Sequence, residues 1–173
     1  MKTPHATLLK PSTIRFERLL PGPIERVWAY LTESKKRATW LAAGEFDLRV
    51  GGKIELHFDN EQLTDEAPPK DALGRGKHSA TGVITRLEPL RALAHTWSWD
   101  GGESEVLYEL EPVGKDVRLV IHHRLPDLAD LRTAVGGGWE IHTEILCNRI
   151  SGTKPRGFWT AHREAMQAFA ASL

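Results

Sequence analysis

The sequence predicts an α+β fold, in which a curved antiparallel sheet of about seven strands wraps around a long C-terminal helix in the order β-α-α-β×6-α-α. Three observations predict it. Alternating apolar and polar residues recur in short runs through the middle of the chain, separated by turn residues. Apolar residues at helical spacing precede and follow these runs. The early helices are too short to cover such a sheet, so the C-terminal helices must do so.

Length and composition indicate one soluble domain. The chain has 173 residues, 40% of them hydrophobic, and we place the domain at residues 12–173 behind a flexible segment, 1–11. Its 23 Lys and Arg balance 23 Asp and Glu, which argues against a nucleic-acid or anionic-membrane partner. Cys147 stands alone, and no apolar run is long enough for membrane insertion. We therefore expect a cytoplasmic protein.

The first elements are a strand and two helices. "STIRFERLL" alternates Ile14 and Phe16 with charged residues, as in a strand with one buried face. The next segment, "PGPIERVWAYLTES", carries a helical stripe of Ile24, Val27, Trp28 and Leu31. We expect Ser34 to cap a second, short helix that ends near Trp40.

A glycine pair then predicts a hairpin. In "EFDLRVGGKIELHF" two alternating runs flank Gly51 and Gly52, which favours a tight turn between two strands. The apolar residues of these runs are Phe46, Leu48, Val50, Ile54, Leu56 and Phe58. Residues 59–77 have almost no apolar periodicity. We expect a solvated loop there, with a lid over a pocket as the alternative.

Four further strands follow at regular spacing. They are "SATGVITRLEP", "RALAHTWSWD", "SEVLYELEP" and "DVRLVIHHRL". Because side chains alternate between the two faces of a strand, the last three strands should each have one largely apolar face. The residues on these faces are Leu93, His95, Trp97, Trp99, Val106, Tyr108, Leu110, Val117, Leu119, Ile121 and His123.

Two helices should close the chain. In "GGGWEIHTEILCNRISG" we expect three glycines at the helix entrance, where they let the chain turn back across the sheet, and Trp139 as a brace. "KPRGFWTAHREAMQAFAASL" has an apolar stripe that includes Phe158 and Phe169. A helix laid across the concave side of a twisted sheet leaves space beneath it, so a cavity is expected.

The order of these motifs resembles a known family. The segments "LPGPIERVWAYLTES", "DLRVGGKIEL", "TGVITRLEPLRALAHTW", "VLYELEPVGKDVRLVIHHRL" and "GGGWEIHTEIL", together with Trp40, resemble START-like (SRPBCC) proteins over about residues 12–150. In particular they resemble the bacterial relatives of the Hsp90 ATPase activator C-terminal domain. The resemblance implies a helix-grip (START/Bet v 1-like) fold with a hydrophobic pocket between sheet and helix. The superfamily includes lipid carriers, hormone receptors, polyketide cyclases and co-chaperone domains, so the fold does not select a function.

Aromatic residues dominate the expected cavity. Six tryptophans are many for this length, and we expect Trp28 and Trp159 to be ordinary core residues. For the other four, core packing and ligand contact are equally weighted. The predicted lining consists of Trp40, Phe46, Leu48, Leu56, Phe58, Trp97, Trp99, Tyr108, Ile121, His123 and Trp139. His123 and Tyr108 would orient the ligand by hydrogen bonding.

Metal and nucleophile motifs are missing from the sequence. His122 and His123 are adjacent in a strand and point to opposite faces, and no H-E-x-x-H pattern occurs. No G-x-S-x-G elbow is present, and Cys147 on a helix is typical of a small buried apolar residue. "GGGW" matches no phosphate-binding loop. We therefore assign no catalytic residue, metal or cofactor.

The predicted function is non-catalytic binding of a small hydrophobic or aromatic molecule. Two alternatives remain. A polyketide cyclase or dehydratase would use Tyr108, His95 and His123 for proton transfer in the same cavity. A co-chaperone-like module would instead bind a protein through an exposed apolar patch. The sequence leaves open whether the chain forms a homodimer.

Overall fold

A seven-stranded antiparallel sheet and two C-terminal helices form the main layers of the protein. The computed structural model describes residues 6–9, 12–126 and 129–172. Its elements are β1 (Ala6–Leu9), β2 (Thr13–Pro21), α1 (Ile24–Thr32), α2 (Ser34–Arg37), β3 (Lys53–Asp59), β4 (Lys77–Glu88), β5 (Ala92–Trp99), β6 (Gly102–Val113), β7 (Asp116–Arg124), α3 (Ala129–Ser151) and α4 (Phe158–Ala170). The strand order is β1-β2-β7-β6-β5-β4-β3. The predicted α+β fold class is confirmed.

The N-terminal strand β1 was not predicted, and it brings the number of strands to seven in place of the strand expected at residues 46–50. β1 pairs with β2 from Ala6 opposite Phe16 to Leu9 opposite Thr13, and so occupies part of the segment that we expected to be flexible. The rest of that segment, residues 1–5 and 10–11, lies outside the described residues. Within the described ranges, no helix combines the length and the apolar character needed to cross a membrane.

The prediction of a strand around residues 46–50 is wrong. Within this segment Phe46 forms an isolated bridge with Ile54 of β3, and the Asp47 N–H donates to the Lys53 carbonyl at 2.9 Å. The backbone instead bends tightly, because the Gly52 N–H donates to the Arg49 carbonyl at 2.8 Å and the Gly51 N–H donates to the Ile84 carbonyl at 2.8 Å. As a result Leu48 is 45% exposed rather than part of a buried face.

A buried arginine joins the two short helices to this segment. The Arg37 guanidinium donates to the carbonyls of Leu31 and Thr32 at 3.2 and 3.1 Å, and to the Gly44 carbonyl. It lies 3.6 Å above the Phe46 ring, and its burial lowers its pKa to about 10. Arg37 thus satisfies carbonyls at the end of α1 that the helix leaves unpaired.

The three glycines lie inside α3, not at its entrance. The helix begins at Ala129, seven residues before Gly136. A Cβ atom on Gly136 would lie 2.4 Å from the Phe169 ring, and one on Gly137 would lie 2.5 Å from the Met166 side chain and 2.9 Å from its backbone nitrogen. Gly136 and Gly137 therefore allow α4 to pack closely against α3, rather than letting the chain turn.

Both apolar sides of α3 are covered. Trp139 and Leu146 are buried, and so are Ile141 and Ile145 on the other side of the helix. α3 contacts α4, β1, β2 and α1. An ion pair of 2.9 Å between Arg18 of β2 and Glu140 adds a polar link from the sheet to the helix.

The packing of these glycines predicts opposite effects of alanine at neighbouring positions. Gly136→Ala and Gly137→Ala should each destabilise the protein, since the added methyl group overlaps α4. Gly138→Ala should stabilise it by about 0.5–1 kcal/mol, because its Cβ meets no atom within 4 Å and glycine is unfavourable inside a helix. Urea unfolding of the three variants measures these changes. Equal stability of all three would contradict the proposed helix contact.

Candidate ligand-binding cavity

A cavity of about 480 Å³ lies between the sheet and the two C-terminal helices. This volume is within the range of small-molecule sites. The sheet side includes Phe58, His78, Ala80, Trp97, Trp99, Ser104 and His123. The helix side is formed by Leu131, Ala134, Val135, Gly138, Trp139, His142, Phe158 and His162. Leu73, which is 56% exposed, and Asp100 also line the cavity and place part of its margin at the protein surface.

Four stacked rings form the sheet side of the cavity. His78 stacks on Phe58 at a centroid distance of 4.8 Å, Phe58 on Trp97 at 5.4 Å, and Trp97 on His123 at 5.5 Å. Phe58 of β3 and His78 of β4 are direct cross-strand partners. Cross-strand aromatic pairs stabilise a sheet, and the stack also presents a continuous aromatic surface.

A hydrogen-bond chain joins α3 to the sheet through His123. The Trp139 indole N–H donates to His123 Nδ1 at 3.0 Å. Since an indole nitrogen can only donate, Nδ1 carries no proton and Nε2–H donates to the Ser104 hydroxyl at 2.8 Å. That hydroxyl donates onward to the Trp97 carbonyl at 3.4 Å. Burial lowers the pKa of His123 to about 3, so the ring is neutral. Both of its nitrogens are engaged within the protein.

Two more histidines reach the cavity from the helices. His142 Nδ1 donates to the Trp40 carbonyl at 2.7 Å, and burial lowers its pKa to about 4. The His162 ring lies beside the Ala134 carbonyl and also has a lowered pKa, chiefly because of burial. Both rings contact Phe158, at centroid distances of 5.3 and 5.5 Å. These imidazoles are neutral polar groups in an apolar wall.

His95 and Tyr108, the other candidates for proton transfer, lie behind the cavity. The His95 ring is fully buried, donates from Nδ1 to the Thr96 carbonyl at 2.8 Å, and has a pKa lowered to about 4 by burial. Burial also raises the pKa of Tyr108. The Trp139 ring contacts the Tyr108 ring edge-on at 5.8 Å and so fills the space above it.

Five of the eleven predicted lining residues border the cavity: Phe58, Trp97, Trp99, His123 and Trp139.

The other six predicted lining residues lie outside the cavity wall. Trp40 is fully buried and donates its indole N–H to the Tyr30 carbonyl at 2.9 Å, so its neighbour Leu41 lines the cavity instead. Phe46 packs under Arg37, as described, and Leu48 is exposed. Leu56, Tyr108 and Ile121 are buried in the core. Because Trp139 fills the concave face above Tyr108, that part of the sheet has no free surface.

The helix side was largely missed by sequence reasoning. A helix entrance at the three glycines leaves out the preceding turns, which in the structure carry Leu131 and Val135. A usable signal was present, since Leu131, Val135, Gly138 and His142 recur at i, i+4, i+7 and i+11 and therefore share one helix face.

The 59–77 segment is anchored at both ends. Asn60 Nδ2 donates to the Gly74 carbonyl at 3.2 Å, and Glu61 accepts from the Gly76 N–H at 3.1 Å. Glu66 accepts from the Thr160 N–H at 3.0 Å at the start of α4. Asn60 and Leu63 are buried, so the segment is not entirely the solvated loop that we expected. It contributes Leu73 and Gly74 to the cavity wall, and its role as a lid stays a prediction.

Residues 21–149 match the family described as "Activator of Hsp90 ATPase homolog 1-like protein". The chain belongs to this family. The START-like resemblance predicted from the motifs is therefore confirmed. No curated protein matches this family member significantly. Among the residues that the structure describes, no cluster of His, Cys, Asp or Glu is arranged to hold a metal ion.

Solved structures of other proteins share the fold of this chain. A protein from Bordetella parapertussis is 40% identical, with a TM-score of 0.79 over 100% of this chain and 96% of that chain. CalU16 from Micromonospora echinospora is 24% identical, with a TM-score of 0.71 over 96% and 93%. DynU16, a protein in the dynemicin biosynthetic locus, is 18% identical, with a TM-score of 0.67 over 83% and 49%. At these lower identities the likeness shows the fold alone.

The buried neutral histidines predict that the protein is less stable in acid. In the unfolded chain a histidine binds a proton below about pH 6.5, whereas His95, His123 and His142 stay neutral in the fold to about pH 4 or lower. The unfolded state therefore binds more protons, and the free energy of unfolding should fall as pH decreases below about 6.5. At pH 5.5 each histidine should cost on the order of 1 kcal/mol.

Urea unfolding at pH 7.5 and 5.5 measures this loss of stability. His123→Gln should reduce the loss, because one of the three buried imidazoles is gone. His57→Gln is the matched control, since His57 is exposed on β3. Equal wild-type stability at the two pH values would contradict the burial of neutral histidines.

Proposed function

We propose that this protein binds a small, flat, apolar molecule in the cavity between the sheet and α3–α4, without covalent chemistry. The observation that carries the proposal is the wall of stacked rings on the sheet side, which faces a 480 Å³ space lined on the helix side by Leu131, Val135 and Phe158. Flat rings gain both burial and edge or face contacts against such a wall.

The protonation of the cavity supports binding rather than proton transfer. A general acid or base acts best with a pKa near the working pH and within reach of the substrate. His123 is neutral, and both of its nitrogens are bound to Trp139 and Ser104. His95 and Tyr108 are not part of the cavity wall, and their pKa values are shifted away from neutrality.

The open interior also favours a small-molecule carrier over a co-chaperone-like module. A protein-interaction module of this size would be expected to fill its interior and expose a contiguous apolar patch. Here a cavity of about 480 Å³ lies between the sheet and the helices, and its lining is mainly aromatic and aliphatic.

Filling the cavity from α3 tests the proposal. Gly138 lines the cavity, and a side chain placed there points into open space, so Gly138→Trp should occupy the site without disturbing the α3–α4 contact. We expect the neutral fluorophore N-phenyl-1-naphthylamine to bind wild type, with at least roughly tenfold weaker binding to Gly138→Trp. Fluorescence titration measures both affinities.

Ala170→Trp provides the matched control. Ala170 is exposed at the end of α4, so the same bulk is added outside the cavity, and affinity should be retained. Absence of binding to wild type, or equal affinity of wild type and Gly138→Trp, would overturn the proposed site. Thermal unfolding of each variant establishes that it is folded.

A further inference from the structure

Two histidines present unpaired hydrogen-bond acceptors on the helix side of the cavity. His142 donates from Nδ1 to the Trp40 carbonyl at 2.7 Å, and the His162 ring lies beside the Ala134 carbonyl. A carbonyl oxygen can only accept, so Nδ1 of His142 carries the proton, and a neutral His162 ring carries one proton as well. The second nitrogen of a neutral imidazole is then an acceptor.

These second nitrogens are not satisfied by the protein. Neither has a hydrogen-bond partner among the described residues, and neither is sealed from solvent. Because His142 is only 8% exposed and both residues line the cavity, we take the accessible nitrogens to face it. A ligand that covers such an acceptor without donating to it leaves the acceptor desolvated and unpaired, which is unfavourable.

Two polar groups of the cavity wall already donate within the protein. The Ser104 hydroxyl donates to the Trp97 carbonyl, and Asn60 Nδ2 donates to the Gly74 carbonyl. The cavity lining among the described residues contains no Lys or Arg, and its charged member is Asp100 at the surface. An anionic ligand would therefore lose its water without gaining a cation.

We propose that the preferred ligand is a neutral aromatic molecule with a hydroxyl or N–H group that donates to His142, and to His162 when the ligand is long enough. This inference rests on the proposed binding function and narrows its ligand class. The stacked rings of the sheet hold the aromatic plane, and the two imidazoles select the donor. The lowered pKa values of His142 and His162 keep both rings neutral at pH 7 and so preserve their acceptors.

Three naphthalenes that differ at one substituent test this selection. Isothermal titration calorimetry on the full chain at pH 7 compares 2-naphthol, 2-methoxynaphthalene and 2-naphthoate. The first is a neutral donor, the second removes the donor, and the third replaces it by an anion. We expect 2-naphthol to bind about tenfold more tightly than the methyl ether, as for one buried hydrogen bond, and 2-naphthoate to bind most weakly.

Histidine variants identify the acceptor. His142→Leu removes one acceptor, and His162→Phe removes the other while keeping a ring against Phe158. In the double variant the preference for 2-naphthol over its methyl ether should fall from about tenfold to about twofold or less. This preference is a ratio within one protein, so a uniform loss of affinity in a less stable variant does not change it.

The outcomes separate this inference from the function beneath it. If all three naphthalenes bind wild type equally, and Gly138→Trp blocks them all, the cavity function stands and the donor selection is overturned. If the preference for 2-naphthol persists in the double variant, the assignment to His142 and His162 is overturned. If no naphthalene and no N-phenyl-1-naphthylamine binds wild type, both proposals fail.

Discussion

The hydrogen bond from the Trp139 indole to His123 Nδ1 determines where the central helix meets the sheet. It is buried, and it connects the middle of α3 to the last strand. Because the indole can only donate, the bond also sets the tautomer of His123 and directs its other nitrogen to Ser104. On one side of this contact the Trp139 ring packs on Tyr108 and the interior is filled. On the other side the cavity begins, and Gly138 leaves it open.

The second constraint is the close approach of α4 to α3. With no side chains at Gly136 and Gly137, α4 can press its Phe169 and Met166 against the outer surface of α3. The contact between α3 and α4 places Phe158 and His162, near the start of α4, at the edge of the cavity. Glu66 holds that same end of α4 through Thr160. The helix side of the cavity is thus formed by a helix pair, rather than by one helix alone.

The buried histidines share one pattern of hydrogen bonding. Each buried histidine uses one ring N–H on a backbone carbonyl or a hydroxyl, and burial keeps the ring neutral. Such rings add hydrogen-bond direction to an apolar wall without the large desolvation cost of a charge. An arrangement of this kind suits recognition, since the positions of donors and acceptors are set before a ligand arrives. It also makes the fold sensitive to protons, because the histidines are freed to titrate only when the chain unfolds.

The sequence by itself determined strands β2 to β7 and the sides of these strands, but not β1 or the bend after residue 46. Period-two alternation is a local property, so Trp97 and His123 could be assigned to one face before any contact was known. It also indicated α1 and the order of the motifs that mark the family. Tertiary structure decided the rest, because it depended on contacts between distant residues. Glycines at 136–138 look like a helix entrance until the ring of Phe169, 33 residues later, is placed against them. Likewise Trp40, Leu56 and Ile121 have the pattern of inward-facing residues, but whether an inward side chain meets a cavity or a neighbour depends on which helix lies above it.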